Sequence, residues 1–279
     1  MELKQITFIS VKKEWNILST SSLDYLESLN GRSRLGCNII DYYFFDHRLK
    51  TKGNKGINFY EFIEQIETYK SKPYIQTLLS YCEKNNRYND SLLKRYYYIY
   101  GLTFGRINAF KISNALKIYH TYKPYHILDP FCGFGGRAAA ALMLGLLYTG
   151  IDINSDLKKD YERLVEDFGK TKSTFMFQDC NTVDYSLIDY DMVFTSPPYE
   201  NIEVYPNNPI KTNKEWDSFY REIFIKLWTH LKKGIFAINI HEKIYKLLVE
   251  LFGECSHKML LSKSSRNDYK EYIYIYIKH

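Results

Sequence analysis

Ile127-Leu128-Asp129-Pro130-Phe131-Cys132-Gly133-Phe134-Gly135-Gly136-Arg137 joins a short apolar strand, entered at His126, to an alanine-rich helix. The helix pattern covers 136–144 and closes at Gly145, a residue suited to the left-handed turn after a helix. Three glycines in the loop allow tight backbone bends and close approach of a ligand. Their spacing is not the Gly-x-Gly-x-x-Gly of dinucleotide folds, and no Gly-Lys-Ser/Thr follows to make a phosphate loop. A glycine turn alone more often serves the chain than a ligand. The pattern on either side gives this one its weight.

Downstream, Leu147-Tyr148-Thr149-Gly150-Ile151 predicts a second strand, 156–168 a helix, and Thr174-Phe175-Met176-Phe177 a third strand. Tyr190-Asp191-Met192-Val193-Phe194 reads as a buried strand that two prolines end abruptly in Thr195-Ser196-Pro197-Pro198-Tyr199. Thr212-x-x-Glu215 is a capping box. It opens a helix with Trp216, Phe219, Tyr220, Ile223, Leu227, Trp228 and Leu231 on its apolar side. A strand over 235–240, a helix over 241–252 and a closing strand pair at 259–261 and 272–277 complete the pattern. Strands alternating with helices predict an α/β fold with a parallel sheet covered on both faces. Ligands of such sheets bind beyond the strands' C-terminal ends, where the glycine loop and the Ser-Pro-Pro-Tyr turn both fall.

Upstream, residues 1–105 read as a mainly helical, basic domain, set apart from the α/β domain at 106–279. One helix starts near Asn58, with Phe59, Phe62, Ile63 and Ile66 on one face; others cover 74–82 and 91–98. Ser113 or Asn114 can cap a further helix ending near Tyr122. The net charge of +6 is uneven: up to Lys123 there are nineteen Lys/Arg and eleven Asp/Glu, and beyond it nineteen and twenty-one. A basic half beside a near-neutral one fits a surface that faces a polyanion, and equally a solvated basic face.

At 45% hydrophobic and 25% charged residues, the chain has the composition of a soluble globular protein. Its five cysteines are scattered, without a Cys-x-x-Cys pair, which indicates a reducing compartment and gives no zinc signature. The first residues lack a signal peptide's apolar core, and no apolar stretch is long enough to span a membrane. An intracellular, cytoplasmic protein without membrane partners is expected.

From Asn108 to the C-terminus the chain resembles the S-adenosylmethionine-dependent amino-methyltransferases of DNA (N4-cytosine and N6-adenine). Their first motif, Asp-Pro-Phe-x-Gly-x-Gly, and their fourth, Asp/Asn/Ser-Pro-Pro-Tyr/Phe, occur here in that order at the expected strand ends. The resemblance implies a Rossmann-like methyltransferase sheet, mostly parallel with an antiparallel strand near the C-terminus. It implies that Asp129 and the 133–136 loop, with Gly133 and Gly135, hold the methionine part of S-adenosylmethionine, Phe131 belonging to the same set. Asp152 would bind the ribose hydroxyls and Asp179 the adenine amine. Loop capping is the other reading of these two carboxylates, and their recurrence at successive strand ends favours the cofactor role. Asn108-Ala109-Phe110-Lys111-Ile112-Ser113 resembles the family's preceding cofactor motif, so Phe110 lines the pocket or is core. Cys132 is not read as a nucleophile, because cytosine-C5 enzymes carry theirs after a proline in another motif. No metal is implied.

An exocyclic amine on cytosine or adenine is a poor nucleophile because its lone pair is delocalised into the ring. Accepting hydrogen bonds from both of its N–H groups frees that pair. The Ser196 hydroxyl and the Pro197 carbonyl are the expected acceptors, with Pro197 and Pro198 stiffening the turn. Tyr199 would stack on a base flipped from a DNA duplex. Serine at the head of the motif leans towards cytosine N4. RNA modification at guanine N2, and a non-catalytic nucleic-acid-binding relative, are the alternatives. The polar loop 200–208 reads as a closing flap or as a surface connection. No separate target-recognition domain fits between or after the motifs. Phosphate contacts therefore fall by elimination to Arg32, Arg34, Arg48, Lys50, Lys52, Lys55, Arg87, Lys94 and Arg95. A restriction–modification role in a bacterial or viral setting is the family's usual context; whether a cognate endonuclease accompanies the chain is open.

Overall fold

The computed structural model describes residues 3–53, 55–169, 171–200, 203–204, 211–263 and 270–279. In chain order, α1 (Phe8–Ser19), α2 (Leu23–Ser28) and α3 (Cys37–Lys50) precede the two-residue strand β1 (Lys52–Gly53). Four helices come next: α4 (Phe59–Glu64), α5 (Ile66–Lys70), α6 (Pro73–Lys84) and α7 (Leu92–Thr103). The remainder runs α8 (Ile112–Tyr122), β2 (His126–Asp129), α9 (Gly136–Leu144), β3 (Leu147–Asp152), α10 (Lys158–Phe168), β4 (Ser173–Phe177) and β5 (Met192–Thr195). Then come β6 (Glu203–Val204), α11 (Asn213–His230), β7 (Gly234–Ile240), α12 (Glu242–Phe252), β8 (His257–Lys263) and β9 (Lys270–Lys278).

Seven strands form one Rossmann-like sheet in the order β4-β3-β2-β5-β7-β9-β8. The first five are parallel, whereas β9 runs antiparallel to both β7 and β8. The chain leaves β2 in one direction for β3 and β4, then returns to the other side of β2 for β5. That reversal makes the β2/β5 boundary the switch point at which such sheets bind ligands.

The period-2 alternation of strand side chains sorts the core into two layers. Met192, Phe194, Ala237, Ile273 and Ile275 join the apolar layer under α1, α3, α8, α9 and α10. Their neighbours Val193, Phe236, Ile238, Tyr274 and Tyr276 face the opposite layer, under α11 and α12. Helix α9 is buried from Gly136 to Met143, because it lies between the sheet and the outer helices. Its four alanines suit that crowding, and an all-round apolar helix has no solvent face to offer.

The expected boundary at 105 does not match the packing. Val11, Trp15, Leu18, Ile39, Ile40, Tyr43 and Phe44 of α1 and α3 belong to the same core layer as α8 and α9. Trp15 stacks on Phe168 at the end of α10, 3.9 Å between centroids. The last turn of α3 and the α4–α7 segment have a core of their own, built on Leu49, Ile57, Phe59, Phe62, Ile75, Cys82, Ile99 and Tyr100. The misreading has a local cause: amphipathic helices look alike in sequence whichever partner they cover.

Two smaller expectations also change. The helix starting after Asn58 opens on a capping box that the sequence reading did not name, and it stops at Gln65, where Ile66 starts a separate short helix. Helix α8 begins at Ile112, with Lys111 at the cap and no side-chain cap bond, so neither Ser113 nor Asn114 plays that part. The 200–208 loop lies largely outside the described residues. What is described of it includes Glu203–Val204, which pairs antiparallel with Lys52–Gly53 and so ties the segment after Tyr199 to the end of α3.

Candidate active site

Beyond the C-terminal ends of the central strands lies a cavity of about 790 Å3, within the size range of small-ligand sites. Strand order decides what sits where in its wall. Asp152, Ile153 and Asp179, ending or following β3 and β4, fall on one side of the switch point. Ser196, Pro197, Pro198 and Tyr199, following β5, and Asn239, on β7, fall on the other. Phe110, Phe131, Gly133 and Arg137 also line the wall.

Asp129 does not, which corrects its expected ligand role. It is fully buried behind the loop. Its Oδ2 accepts from Arg137 Nε and from the Tyr148 hydroxyl, both at 2.6 Å, and its Oδ1 accepts from Thr195 Oγ1 at 2.6 Å. The Phe131 amide adds a bond at 3.3 Å. A buried carboxylate must be paired and hydrogen-bonded to be tolerated, and these donors leave little of it for a ligand. Arg137, 3% exposed, also donates from Nη2 to Phe131 O at 2.7 Å. Burial works against its charge, but the Asp129 carboxylate holds its pKa above the ordinary value. One carboxylate thus ties the glycine loop to Thr195, the residue before Ser196.

Gly135 is likewise outside the cavity wall. Its φ of +74° and the Phe44 ring, 2.6 Å from where a Cβ would stand, explain the glycine on structural grounds. At Gly136 the Phe110 backbone passes so close that a Cβ would collide with its carbonyl. The 108–110 segment therefore lies directly on the start of α9. The Phe110 ring meets Phe194 edge-on at 5.4 Å and lies 5.1 Å from the Arg137 guanidinium. Both readings of this aromatic hold together: it faces the cavity and packs on the core. Cys132 is 2% exposed, and burial pushes its thiol well above the ordinary value, which disfavours a thiolate nucleophile.

Asp152 is arranged differently. Its Oδ2 accepts from Gly133 N at 2.8 Å and its Oδ1 from Asn154 N at 2.9 Å. Each oxygen keeps a lone-pair site for a ligand diol. Burial pushes its pKa up to about 6, against the lowering effect of those two amides. The neighbouring Ile153 is exposed into the cavity and gives a planar ring an apolar face. Asp179 is exposed in the wall; its Oδ1 caps the short turn at Asn181, 2.9 Å away, so the loop-capping reading also holds. Beside it, Asn181 also lines the wall, and its Oδ1 is shut off from solvent without a hydrogen-bond partner among the described residues.

On the far side, Ser196 Oγ lies 3.3 Å from Asn239 Oδ1 and 3.4 Å from the Tyr199 hydroxyl. The Tyr199 hydroxyl donates towards Asn239 O at 3.1 Å or Oδ1 at 3.2 Å. Tyr220 donates to Pro198 O at 2.6 Å and accepts from Glu200 N at 3.0 Å, fixing the second half of the turn. The Pro197 carbonyl is not used in this way. Glu200 takes a left-handed φ of +49°, uncommon for a residue with a Cβ. Asn239, 2% exposed, escaped the sequence reading. Its signal was present: a lone amide between Ile238 and Ile240 at the end of a buried strand. Arg137 was quoted within its motif without a role.

The nine cations expected to meet phosphates divide sharply. Arg48 is half-buried and engaged by Asp41 and Ile107 O, which removes it from the set. Lys50, Lys52, Lys94 and Arg95 are paired with Asp46, Glu61, Asp90 and Glu83. Arg87 lies between the Tyr81 and Tyr98 rings at 5.5 and 5.4 Å. Arg32, Arg34 and Lys55 are exposed and make no ion pair among the described residues. The loop carrying Arg32 and Arg34 reaches the cavity through Gly31, whose carbonyl accepts from Lys111 Nζ.

No family model and no curated protein matches the chain. Solved structures resemble it in part. TrmN from Thermus thermophilus shares 15% identity over 60% of this chain and 49% of that one, with a TM-score of 0.46. The chain thus spans about half of that protein's length. An rRNA methylase from Streptococcus thermophilus shares 12% identity over 62% of this chain and 98% of that one, TM-score 0.45. Magnesium protoporphyrin IX methyltransferase from Synechocystis, with bound S-adenosylmethionine, shares 14% identity over 75% and 99%, TM-score 0.41. These are likenesses of chain course; what those proteins bind and modify is theirs. Among the described residues no cluster could hold a metal ion, and no helix is long and apolar enough to cross a membrane.

Proposed function

We propose that the chain is an S-adenosylmethionine-dependent methyltransferase acting on the exocyclic amine of a nucleobase in a nucleic acid. The observation that carries the reading is one cavity with a carboxylate, Asp152, on one side and a hydroxyl-and-aromatic turn, Ser196 and Tyr199, on the other. The cofactor fits residues that are present. Asp152 would hold the ribose diol, Asp179 the adenine amine, and Ile153 and Phe131 the adenine faces. Gly133 and Phe110 would line the methionine end, and Asp129 acts behind them by holding the loop. Bound S-adenosylmethionine would supply a sulfonium methyl for the amine nitrogen, with the sulfur as leaving group and the amine proton released. The chain's own work is positioning, with Ser196 Oγ and the Pro197 carbonyl accepting from the amine and Tyr199 beneath the ring.

DNA is the favoured polymer, because the Ser-Pro-Pro-Tyr motif accompanies Asp-Pro-Phe-x-Gly-x-Gly, and cytosine N4 is favoured over adenine N6. RNA is the second reading, since guanine N2 offers the same amine to the same acceptors. Transfer of labelled methyl groups to unmethylated plasmid DNA and to unmodified tRNA, followed by digestion to nucleosides, tests both. Label in N4-methylcytosine of DNA is the expected outcome. Label in tRNA alone would move the assignment to RNA, and label in neither would overturn it.

A further inference from the structure

We infer that Asn239 is a positioning residue that makes the Ser196 hydroxyl a hydrogen-bond acceptor and so selects a substrate group that donates hydrogen, an exocyclic amine. The inference rests on reading the Ser196 turn as the methyl-transfer site. The orientation of the Asn239 amide is set by its neighbours: Nδ2 donates to Tyr272 O at 3.0 Å, a contact that a flipped amide would turn into two facing oxygens. Oδ1 therefore points at the turn, with Ser196 Oγ and the Tyr199 hydroxyl 3.3 and 3.2 Å away. An amide oxygen has two lone pairs, enough for both hydroxyls. Ser196 Oγ also lies 3.4 Å from the Tyr199 hydroxyl, so both partners within reach of its hydrogen belong to the Ser196–Tyr199–Asn239 triangle.

A serine hydroxyl carries one hydrogen and two lone pairs. With the hydrogen directed at Asn239 or Tyr199, lone pairs are what Ser196 presents to the cavity. They accept from an amine N–H and repel a carbonyl or a bare ring nitrogen. A neutral amide orients the serine without taking its proton, so Asn239 acts through Ser196 and not as a base. Its place at the end of β7, 2% exposed and braced against β9, gives the orientation a rigid support.

A double-mutant cycle tests this, with methyl transfer to plasmid DNA and to tRNA measured in parallel and S-adenosylhomocysteine affinity measured by calorimetry. Asn239→Ala and Ser196→Ala should each lower kcat by about 10- to 100-fold, as coupled polar contacts do, and the double variant should fall no further than Ser196→Ala alone. S-adenosylhomocysteine affinity should be unchanged throughout. Asn239→Gln keeps a neutral amide with an oxygen for Ser196 and a donor for Tyr272 O, and should recover part of the loss. It also carries the cycle should Asn239→Ala fail to fold. Losses that multiply in the double variant, or lost S-adenosylhomocysteine binding in Asn239→Ala, would overturn the inference and leave the methyl-transfer reading standing. A wild-type protein that methylates neither polymer would overturn both.

Discussion

The two sides of the cavity are held by different kinds of bond. At the ends of β2 and β3 the contacts are short and buried: three donors reach Asp129 at 2.6 Å, and two backbone amides reach Asp152 at 2.8 and 2.9 Å. At the ends of β5 and β7, Ser196, Tyr199 and Asn239 meet at 3.1 to 3.4 Å, and the adjoining Glu200 sits in the left-handed region. Catalytic hydrogen bonds are often long before substrate arrives and tighten in the complex. The comparison teaches a division of labour. On the proposed function, the cofactor would meet the tighter cradle and the base the longer contacts around Ser196, while Tyr220 holds the Pro198 carbonyl at 2.6 Å.

The most direct way to break the comparison is to remove the charge that balances Asp129. Arg137→Ala leaves a fully buried carboxylate without its cation, a change that costs about 3–5 kcal/mol of stability. Because Asp129 also receives Thr195 Oγ1, the turn at Ser196 should loosen together with the glycine loop. Urea unfolding monitored by tyrosine fluorescence measures the first effect, and S-adenosylhomocysteine affinity the second. A loss of no more than about 1 kcal/mol, the size of an exposed pair, would mean that Asp129 is not the keystone described.

A milder change sharpens the contrast between the two aspartates. Asp152→Ala removes the acceptors for a ribose diol and should weaken S-adenosylhomocysteine binding by about 10- to 100-fold, as loss of charged hydrogen bonds does. The sign of its pH dependence is set by a pKa raised to about 6. The carboxylate is ionised and fully accepting above that value, so affinity should be highest there and fall as pH drops through it. The stability of the free protein gains the opposite contribution from this group: burial disfavours the charge, so protonating Asp152 helps the fold, and that help is lost as pH rises through about 6. Calorimetric titrations spanning that value check it, with Asp152→Asn expected to flatten the curve. A wild-type affinity independent of pH there would remove Asp152 from the ligand.

Much of this was legible in the chain. Strand ends carry their chemistry in sequence, since a central strand must be apolar and the chain must turn where it ends; hence 127–136 and 195–199 were read in place. Asp152 was legible for the same reason. Asp129 was misread because a motif marks where a carboxylate stands and not where it points. Its partners Tyr148 and Thr195 are 19 and 66 residues away, and only the packing brings them to it. Asn239 was missed because one polar residue in an apolar strand has no periodicity to announce it. The boundary at 105 failed on similar grounds. Nothing local in Trp15 or Phe44 says that their partners are Phe168 and Tyr161, more than a hundred residues on.

The smallest expected effect concerns the outer rim, where the proposed contact with a polyanion would rest on charge. Six of the nine N-terminal cations first expected to meet phosphates are already engaged with carboxylates, a carbonyl or tyrosine rings, so net charge overstates the surface a polyanion meets. Arg32 and Arg34 are different: they stand just beyond Gly31 of the cavity wall, on a loop that Lys111 ties to the segment carrying Phe110. A base reaching Ser196 would bring its phosphates to that rim. Arg32→Glu with Arg34→Glu should weaken binding of a short DNA duplex by about 3- to 10-fold at moderate salt and lower the salt slope by about one unit per lost phosphate contact. Fluorescence anisotropy across a salt series measures both, and S-adenosylhomocysteine affinity, measured in parallel, separates a lost phosphate contact from a disturbed Phe110 segment. An equal loss from Lys94→Glu with Arg95→Glu would show that the helical α4–α7 segment meets the polymer as closely as the rim does. A salt slope untouched by either pair would place the phosphates on a different face of the protein.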